Sequence, residues 1–276
     1  MKIGLLRVVN CALVVVAAGT AAADVTIRAV SEKDGTPWSV TYIAASNVRA
    51  ENLQPEPSFV LWERGKTQIT TVMPSRKSYL VLDQAEVAAQ MKQVNEQMKQ
   101  AEAQMASMPP QVREMMKDKM PNMGSGKPLI ELKLTKTGQT ATKGGRACKL
   151  VDLTITGVPM AGNMGQELCV VAPDSLGIPG GDLETLRQMA LFTKEMTKDL
   201  GQVIGGMPDL MEMGGWPVWT RDKQSGASWV LKSVERGAVD RSLFSVPAGY
   251  TLEKMPSLGS PASGPAGGKK KKNKYG

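Results

Sequence analysis

Residues 77–108 read KSYLVLDQAEVAAQMKQVNEQMKQAEAQMASM, and the spacing of apolar residues changes within this stretch. Up to Asp83 the composition is typical of a β-strand. From Gln84 the apolar residues recur at alternating intervals of four and three, as in the seam of an amphipathic helix. They are Val87, Met91, Val94, Met98, Ala101, Met105 and Met108. The stretch therefore predicts a strand followed directly by a Met-rich helix.

Four further strand-like runs precede this stretch: VTIRAVSE, PWSVTYIA, PSFVLWER and KTQITTVM. Turn-forming pairs such as Asp34-Gly35, Arg64-Gly65 and Pro74-Ser75 separate them. Short strands at this spacing indicate an antiparallel meander, which is the basis of a barrel or half-barrel. We expect a curved antiparallel sheet.

Two helical excursions interrupt the strands. The first covers residues 84–127, and Pro109-Pro110 should end its long helix before the strand PLIELKLTKT. The second covers residues 182–207, with Asp182 as N-cap. Its seam is Leu186, Met189, Thr193, Met196, Leu200, Val203 and Met207. We predict an α+β fold in which both excursions pack on the concave face of a half-barrel.

Residues 1–23 have the pattern of a cleaved signal peptide. Lys2 and Arg7 give a positive start, and Ala21–Ala23 supplies the small residues of a cleavage site. The apolar run Val8–Ala18 is 11 residues long, whereas a membrane-spanning helix needs about 20. We expect cleavage near Ala23 and a periplasmic or secreted protein, with residues 24–254 as its single folded domain.

Cys148 and Cys169 are the two cysteines beyond the predicted leader, and cysteines in an oxidising compartment usually pair. They lie in the runs ACKLVDLTITG and GQELCVVAP. A hairpin centred near Val158-Pro159 would place them opposite each other. We predict a structural disulfide, and closing a loop of about 22 residues stabilises the fold by roughly 3 kcal/mol.

The last residues, 255–276, are predicted to be a disordered basic tail, because Gly, Ser, Pro and Ala precede a run of lysines. These lysines are expected to contact an anionic envelope surface. They are Lys269, Lys270, Lys271, Lys272 and Lys274. Without the leader and the tail, basic and acidic residues nearly balance, which argues against a nucleic-acid partner.

The order of these features resembles a family of secreted bacterial proteins, domain-of-unknown-function family 4412. The resemblance covers most of residues 30–252. It rests on KSYLVLD, the Met/Gln-rich helical insertion, the hairpin from ACKLVDLTITG to GQELCVVAP, the strand WVLKSVERG and the block Leu243–Tyr250, LFSVPAGY. The family is similar to the periplasmic lipoprotein-carrier fold. This implies a curved sheet wrapped over helices, with an apolar groove for acyl chains, and it implies no catalytic residues.

The chain contains no histidine. This excludes Ser/His/Asp and Cys/His hydrolases and removes the commonest general base. No other residue pattern indicates a catalytic site or a cofactor, so we expect a non-enzymatic protein.

The 18 methionines are the unusual resource of this sequence. Methionine is unbranched and adaptable, so Met-lined helices suit an apolar ligand such as an acyl chain or a lipoprotein. The candidate groove residues are Met91, Val94, Met98, Met105, Met189 and Met196. The same seams would equally form a filled core.

One alternative is copper(I) binding by thioethers, with Met115, Met116, Met120 and Met123 as ligands. A second alternative is an envelope-interaction protein without a small ligand.

Overall fold

The computed structural model describes residues 24–109, 130–158, 162–178, 180–197, 204–205 and 210–254. The strands in these ranges are β1 (Val25–Ser31), β2 (Pro37–Ile43), β3 (Asn47–Asn52), β4 (Ser58–Glu63), β5 (Gln68–Met73), β6 (Ser78–Asp83), β7 (Ile130–Lys143), β8 (Arg146–Val158), β9 (Gly162–Val171), β10 (Ile204–Gly205), β11 (Trp216–Asp222), β12 (Ser228–Arg236) and β13 (Thr251–Leu252). The helices are α1 (Gln84–Ser107), α2 (Glu184–Thr197) and α3 (Leu210–Met213).

All 13 strands belong to one sheet, in the order β10-β7-β8-β9-β11-β12-β1-β2-β3-β4-β5-β6-β13. Neighbours run antiparallel except at the two ends, where β10 pairs parallel with β7 and β13 pairs parallel with β6. The first and last strands of this order do not pair with each other, so the sheet is open. The expected α+β class with an open, half-barrel-like sheet is confirmed.

The sequence pattern did not predict the strand β3. Its sequence, NVRAEN, contains one β-branched residue among residues with weak strand preference. Its register nevertheless makes it a central strand, with Val48 opposite both Ile43 and Trp62. Val48 is fully buried. The alternation of Val48 and Ala50 with Arg49 and Glu51 was the available signal.

The disulfide Cys148–Cys169 is confirmed, with the two Cα atoms 5.4 Å apart. The predicted register of its hairpin is wrong by two residues, because Cys169 lies opposite Leu150 and not opposite Cys148. Val158 pairs with Gly162, so the hairpin is centred near residue 160 and not near Val158-Pro159. Cys148 is two residues from Leu150 on the same face, so the bridge runs diagonally between adjacent strands.

The long helix α1 begins at Gln84 as predicted and ends at Ser107. The last part of the first excursion, residues 110–127, lies outside the described residues. The second excursion differs from its prediction. A 3-10 turn, Gly180–Leu183, holds Asp182, and α2 starts only at Glu184. The prediction that this helix continues to Met207 is wrong, because Ile204–Gly205 forms β10 and pairs with β7. The sequence also has glycines at positions 201 and 205, and glycine disfavours a helix.

Strands β3 to β6 carry a core on each face. On one face, Val48, Trp62 and Ile69 pack against the helices α1 and α2. On the other face, Phe59, Leu61 and Val72 pack against the C-terminal segment through Val246 and Tyr250. Because successive side chains of a strand point to opposite faces of the sheet, these strands contribute side chains to both cores.

A further core surrounds the disulfide and includes Trp219 and Ile178. Beside it, Gly215 has φ +149°, and a Cβ there would lie 2.1 Å from the Val171 carbonyl oxygen. Only glycine permits this approach of the chain to β9. None of the helices in the described part of the chain combines the length and the apolar character needed to cross a bilayer.

Candidate ligand-binding layer between the helices and the sheet

The helices α1 and α2 lie on the face of β3–β6 that carries Trp62, and we call this contact region the helical layer. Val87 of α1 and Met196 of α2 are buried in it. Leu186, Met189 and Phe192 of α2 are partly buried against the same cluster. The rings of Phe192 and Trp62 are 6.3 Å apart between centroids. The layer is therefore built of large, adaptable apolar side chains.

Polar contacts fix where each helix begins. Asp83, the last residue of β6, accepts hydrogen bonds at Oδ1 from the backbone N–H groups of Ala85 (2.9 Å) and Glu86 (3.4 Å). This is the arrangement of an N-cap. At the start of α2, the buried Thr185 hydroxyl donates to the Ala45 carbonyl (2.9 Å) and accepts from Arg64 (2.8 Å). Both helices are thus anchored to the sheet at their N-terminal ends.

Most of α1 extends beyond this anchor. At 1.5 Å per residue its 24 residues span about 36 Å. Val87 is the only buried residue among the α1 side chains that the structure describes, and Gln84 and Gln90 are half-buried. Every described α1 side chain after Gln90 is exposed. The sheet therefore covers the beginning of α1, and the apolar seam continues past that point.

The predicted groove residues divide into two groups. Met189 and Met196 lie together in the helical layer. Met91, Val94, Met98 and Met105 lie on α1, but their side chains are outside what the structure describes. The alternative copper(I) ligands, Met115, Met116, Met120 and Met123, lie outside the described residues, as do the leader and the five lysines of the tail.

Two buried polar atoms of this region have no hydrogen-bond partner among the described residues: the indole Nε1 of Trp62 and the amide Oε1 of Gln90. Trp62 is 5% exposed and packs in the same cluster as Val87. Gln90 follows Val87 by one helical turn, so both side chains lie on one face of α1. Since buried polar atoms are nearly always paired, these two are candidates for contacting a ligand.

Sequence reasoning missed both residues. The pattern alone makes Trp62 one strand residue among others and Gln90 part of a solvated helix face. The available signal was the position of Gln90, between the apolar residues Val87 and Met91. A polar side chain three positions after a buried one lies on the same face of the helix. It must therefore either reach solvent or form a hydrogen bond with a partner.

A concavity of about 170 Å³ lies between β4 and the C-terminal segment. Leu61, Phe244 and Val246 line it together with Glu63 and Lys66, and Trp62 also forms part of its wall. Its mixed apolar and charged lining suits a polar molecule better than a long hydrocarbon chain.

A cluster of charged residues surrounds the buried Trp219. Its indole Nε1 donates to Glu32 Oε2 at 2.7 Å, and Lys143 Nζ lies 4.0 Å from the centroid of its ring. The hydrogen bond from Trp219 is the main reason that the pKa of Glu32 is lowered. A carboxylate held in its ionised form is a poor general acid at neutral pH. The contacts tie β1 to β11.

Metal-binding groups of three or more His, Cys, Asp or Glu residues do not occur among the described residues.

No family model matches the sequence. No curated protein matches it. The chain is similar to a solved structure, the crystal structure of an uncharacterized conserved protein from Thermus thermophilus, with 8% sequence identity and a TM-score of 0.36 over 85% of this chain and 91% of that one. A likeness at this TM-score carries no argument about fold or function.

Proposed function

We propose that this chain is a non-enzymatic, carrier-like binding protein that holds an acyl chain, free or on a lipoprotein, in a Met-lined groove along α1 and α2. It would act in the periplasm after loss of residues 1–23. The observation that carries the proposal is the course of α1. The helix continues for about five turns beyond Gln90, and Gln90 is the last α1 side chain in the described part of the helix that is not exposed.

The seam of α1 has the length of an acyl chain. Met91 and Met105 are about 21 Å apart along the helix at 1.5 Å per residue. One leaflet of a bilayer, which is the length of one lipid chain, is about 15 Å thick. Methionine suits such a ligand because its unbranched side chain adapts to chains of varying shape. One seam could therefore cover a whole acyl chain.

The second helix offers further apolar surface. Leu191 of α2 is 43% exposed although it is a large hydrophobic residue. Phe192, next to it, is partly buried against Trp62. Together they extend the apolar surface outward from the filled core around Met196. The sequence resembles domain-of-unknown-function family 4412, and the similarity of that family to the lipoprotein-carrier fold implies the same class of ligand.

The methionine seam tests this proposal. Replacing Met91, Met98 and Met105 together by leucine keeps the apolar volume, so the variant should fold, lose no more than about 1.5 kcal/mol per site, and still bind the neutral fluorescent probe N-phenylnaphthylamine. Replacing the same three residues by glutamine should abolish binding, because each amide would have to be desolvated. Probe fluorescence titration measures both effects.

The matched control is the triple change of the exposed Gln93, Gln97 and Gln100 to alanine, which should leave probe binding unchanged. If the wild-type protein binds no probe, or if the glutamine variant binds it as well as the wild type, the seam is not a ligand surface.

A further inference from the structure

We infer that the concavity between β4 and the C-terminal segment binds a free amino acid with an aliphatic side chain, such as leucine. Its lining brings an apolar wall and two opposite charges together around a space of about 170 Å³. None of the described residues that line it belongs to α1 or α2. The inference therefore goes beyond the groove proposed along α1 and does not depend on it.

The sheet supplies the floor of the concavity. Leu61 of β4 lies opposite Thr70 of β5, and two positions further along β4, Glu63 lies opposite Asn47 of β3. Residues two positions apart in a strand point to the same face of the sheet, so Leu61 and Glu63 share one face. Leu61 is buried. An apolar side chain is thus flanked by polar ones on this face.

The C-terminal segment supplies the wall, through Phe244 and Val246. Both belong to the block Leu243–Tyr250. Arg49 holds this block against the sheet, since its Nη1 donates to the Leu243 carbonyl at 2.6 Å. Val246 also packs against a buried core of the sheet. The apolar wall is therefore positioned by contacts within the protein and does not need a ligand to form.

The turn between β4 and β5 supplies the two charges. The backbone N–H of Lys66 donates to the Glu63 carbonyl at 3.1 Å, and Gly65 has φ +83°. Glu63 and Lys66 thus stand at the two ends of one tight turn, and both line the concavity. In the part of the chain that the structure describes, neither of these two side chains forms an ion pair or a hydrogen bond. A carboxylate and an ammonium group are therefore both available beside the apolar wall.

A zwitterion complements this arrangement. The α-ammonium group of an amino acid would pair with the Glu63 carboxylate, and its α-carboxylate would pair with the Lys66 ammonium group. Its aliphatic side chain would contact Leu61, Phe244 and Val246. A ligand with one charge would gain one of these pairs and meet a like charge at the other residue. A neutral ligand would gain neither pair.

The volume of the concavity limits the size of the ligand. A cavity of roughly 150 Å³ accommodates a benzene ring, whereas drug-sized ligands need about 300 Å³ or more. The concavity of about 170 Å³ therefore suits a molecule of roughly six to nine non-hydrogen atoms. Valine and leucine have this size, and an acyl chain of a membrane lipid is too long.

The test is a nuclear magnetic resonance titration of the ¹⁵N-labelled mature chain, with the backbone amide shifts of residues 61–70 as the readout. Four ligands are compared: leucine, 4-methylpentanoate without the ammonium group, 3-methylbutylamine without the carboxylate, and glycine without the side chain. Leucine should bind roughly two- to fivefold more tightly than either singly charged ligand, the factor that one exposed ion pair contributes. It should bind at least roughly tenfold more tightly than glycine, because its side chain is removed from water.

Three results would overturn the inference. They are the absence of any shift in residues 61–70 with leucine, equal binding of leucine and either singly charged ligand, and equal binding of leucine and glycine. Each of them leaves the proposed function standing, because the acyl groove is measured with a different probe.

Two variants assign the charges to the residues. Glu63→Gln should weaken leucine binding roughly two- to fivefold and leave the affinity for 4-methylpentanoate no lower than in the wild type. Lys66→Gln should weaken leucine binding by the same factor and leave the affinity for 3-methylbutylamine no lower. Glu96→Gln and Lys92→Gln on α1 are the matched controls, and all four residues are exposed. Equal weakening by the controls would trace the effect to net charge and contradict the inference.

Discussion

Glu32 shows at the scale of one residue how the two halves of the sheet are joined. Glu32 directly follows the last residue of β1. Its carboxylate accepts hydrogen bonds from the indole of Trp219 (2.7 Å) and from the hydroxyl of Ser228 (2.8 Å). Both partners are about 190 residues further along the chain. A single exposed carboxylate thereby fixes the position of a buried indole.

We predict that Glu32→Gln is less stable than the wild type at pH 7, and that the difference disappears in acid. The folded-state pKa of Glu32 is lowered, chiefly by the hydrogen bond from Trp219. Its contribution is therefore present above the unfolded-state pKa of about 4.3 and is lost as the pH falls through the folded-state value. We expect an effect below about 1 kcal/mol at pH 7, because the group is solvent-screened.

Urea unfolding of the wild type and Glu32→Gln at pH 7 and pH 3 measures this. Glu96→Gln, an exposed change on α1, should alter stability at pH 7 by less than about 0.5 kcal/mol. An equal loss in Glu32→Gln at both pH values would mean that the carboxylate charge plays no part.

Single residues were predictable where the pattern and the chemistry agreed. Cys148 and Cys169 could be paired from their two strand-like runs. Trp62 and Gln90 were not singled out, because the sequence pattern indicates which side chains face the core and not which of their polar atoms lack a hydrogen-bond partner. Which polar atoms remain unpaired depends on packing between α1 and β4, and that is a tertiary property.

At the scale of elements, the C-terminal segment is held to the sheet by Arg49. The guanidinium of Arg49 lies 3.6 Å from the centroid of the Phe59 ring and donates from Nη1 to the Leu243 carbonyl at 2.6 Å. It also forms an ion pair with Glu51, and the two side chains are only 13% and 16% exposed. β3 thus contacts the helical layer with one face and the C-terminal segment with the other.

We predict that Arg49→Met destabilises the protein by about 3 kcal/mol, because it leaves Glu51 mostly buried without its countercharge. Arg28→Met is the matched control. Arg28 pairs with Glu235 at 3.5 Å, but the side chains are 42% and 57% exposed, so this change should cost less than about 1 kcal/mol. Denaturant unfolding compares them, and equal losses would contradict a structural role for Arg49.

The elements were predictable where the spacing of apolar residues was regular. Five of the six strands between residues 24 and 83 and the start of α1 follow directly from this spacing. β3 was missed because its neighbours in the sheet, and not its own composition, stabilise it. The end of α2 was misplaced because the apolar seam continues in sequence to Met207, although Ile204–Gly205 pairs with β7 as a strand. The pairing of β10 with β7 has no local signature.

At the scale of the whole molecule, the folded body and the tail are proposed to act separately. Deleting residues 255–276 should leave the thermal midpoint unchanged and remove most binding to anionic vesicles. Each lysine near a charged membrane contributes about 1 kcal/mol, and salt should weaken the binding of the full chain. Vesicle co-sedimentation at two salt concentrations tests this. A fall of several degrees in the midpoint would show that the tail packs on the domain.

The central claim is that the groove along α1 carries an acyl ligand. Native mass spectrometry of protein purified from the periplasm without detergent tests it most directly. We predict an added mass of one lipid, which is lost in the variant with glutamine at positions 91, 98 and 105. Protein that carries no lipid and binds no N-phenylnaphthylamine, or that retains a copper ion instead, would contradict the account.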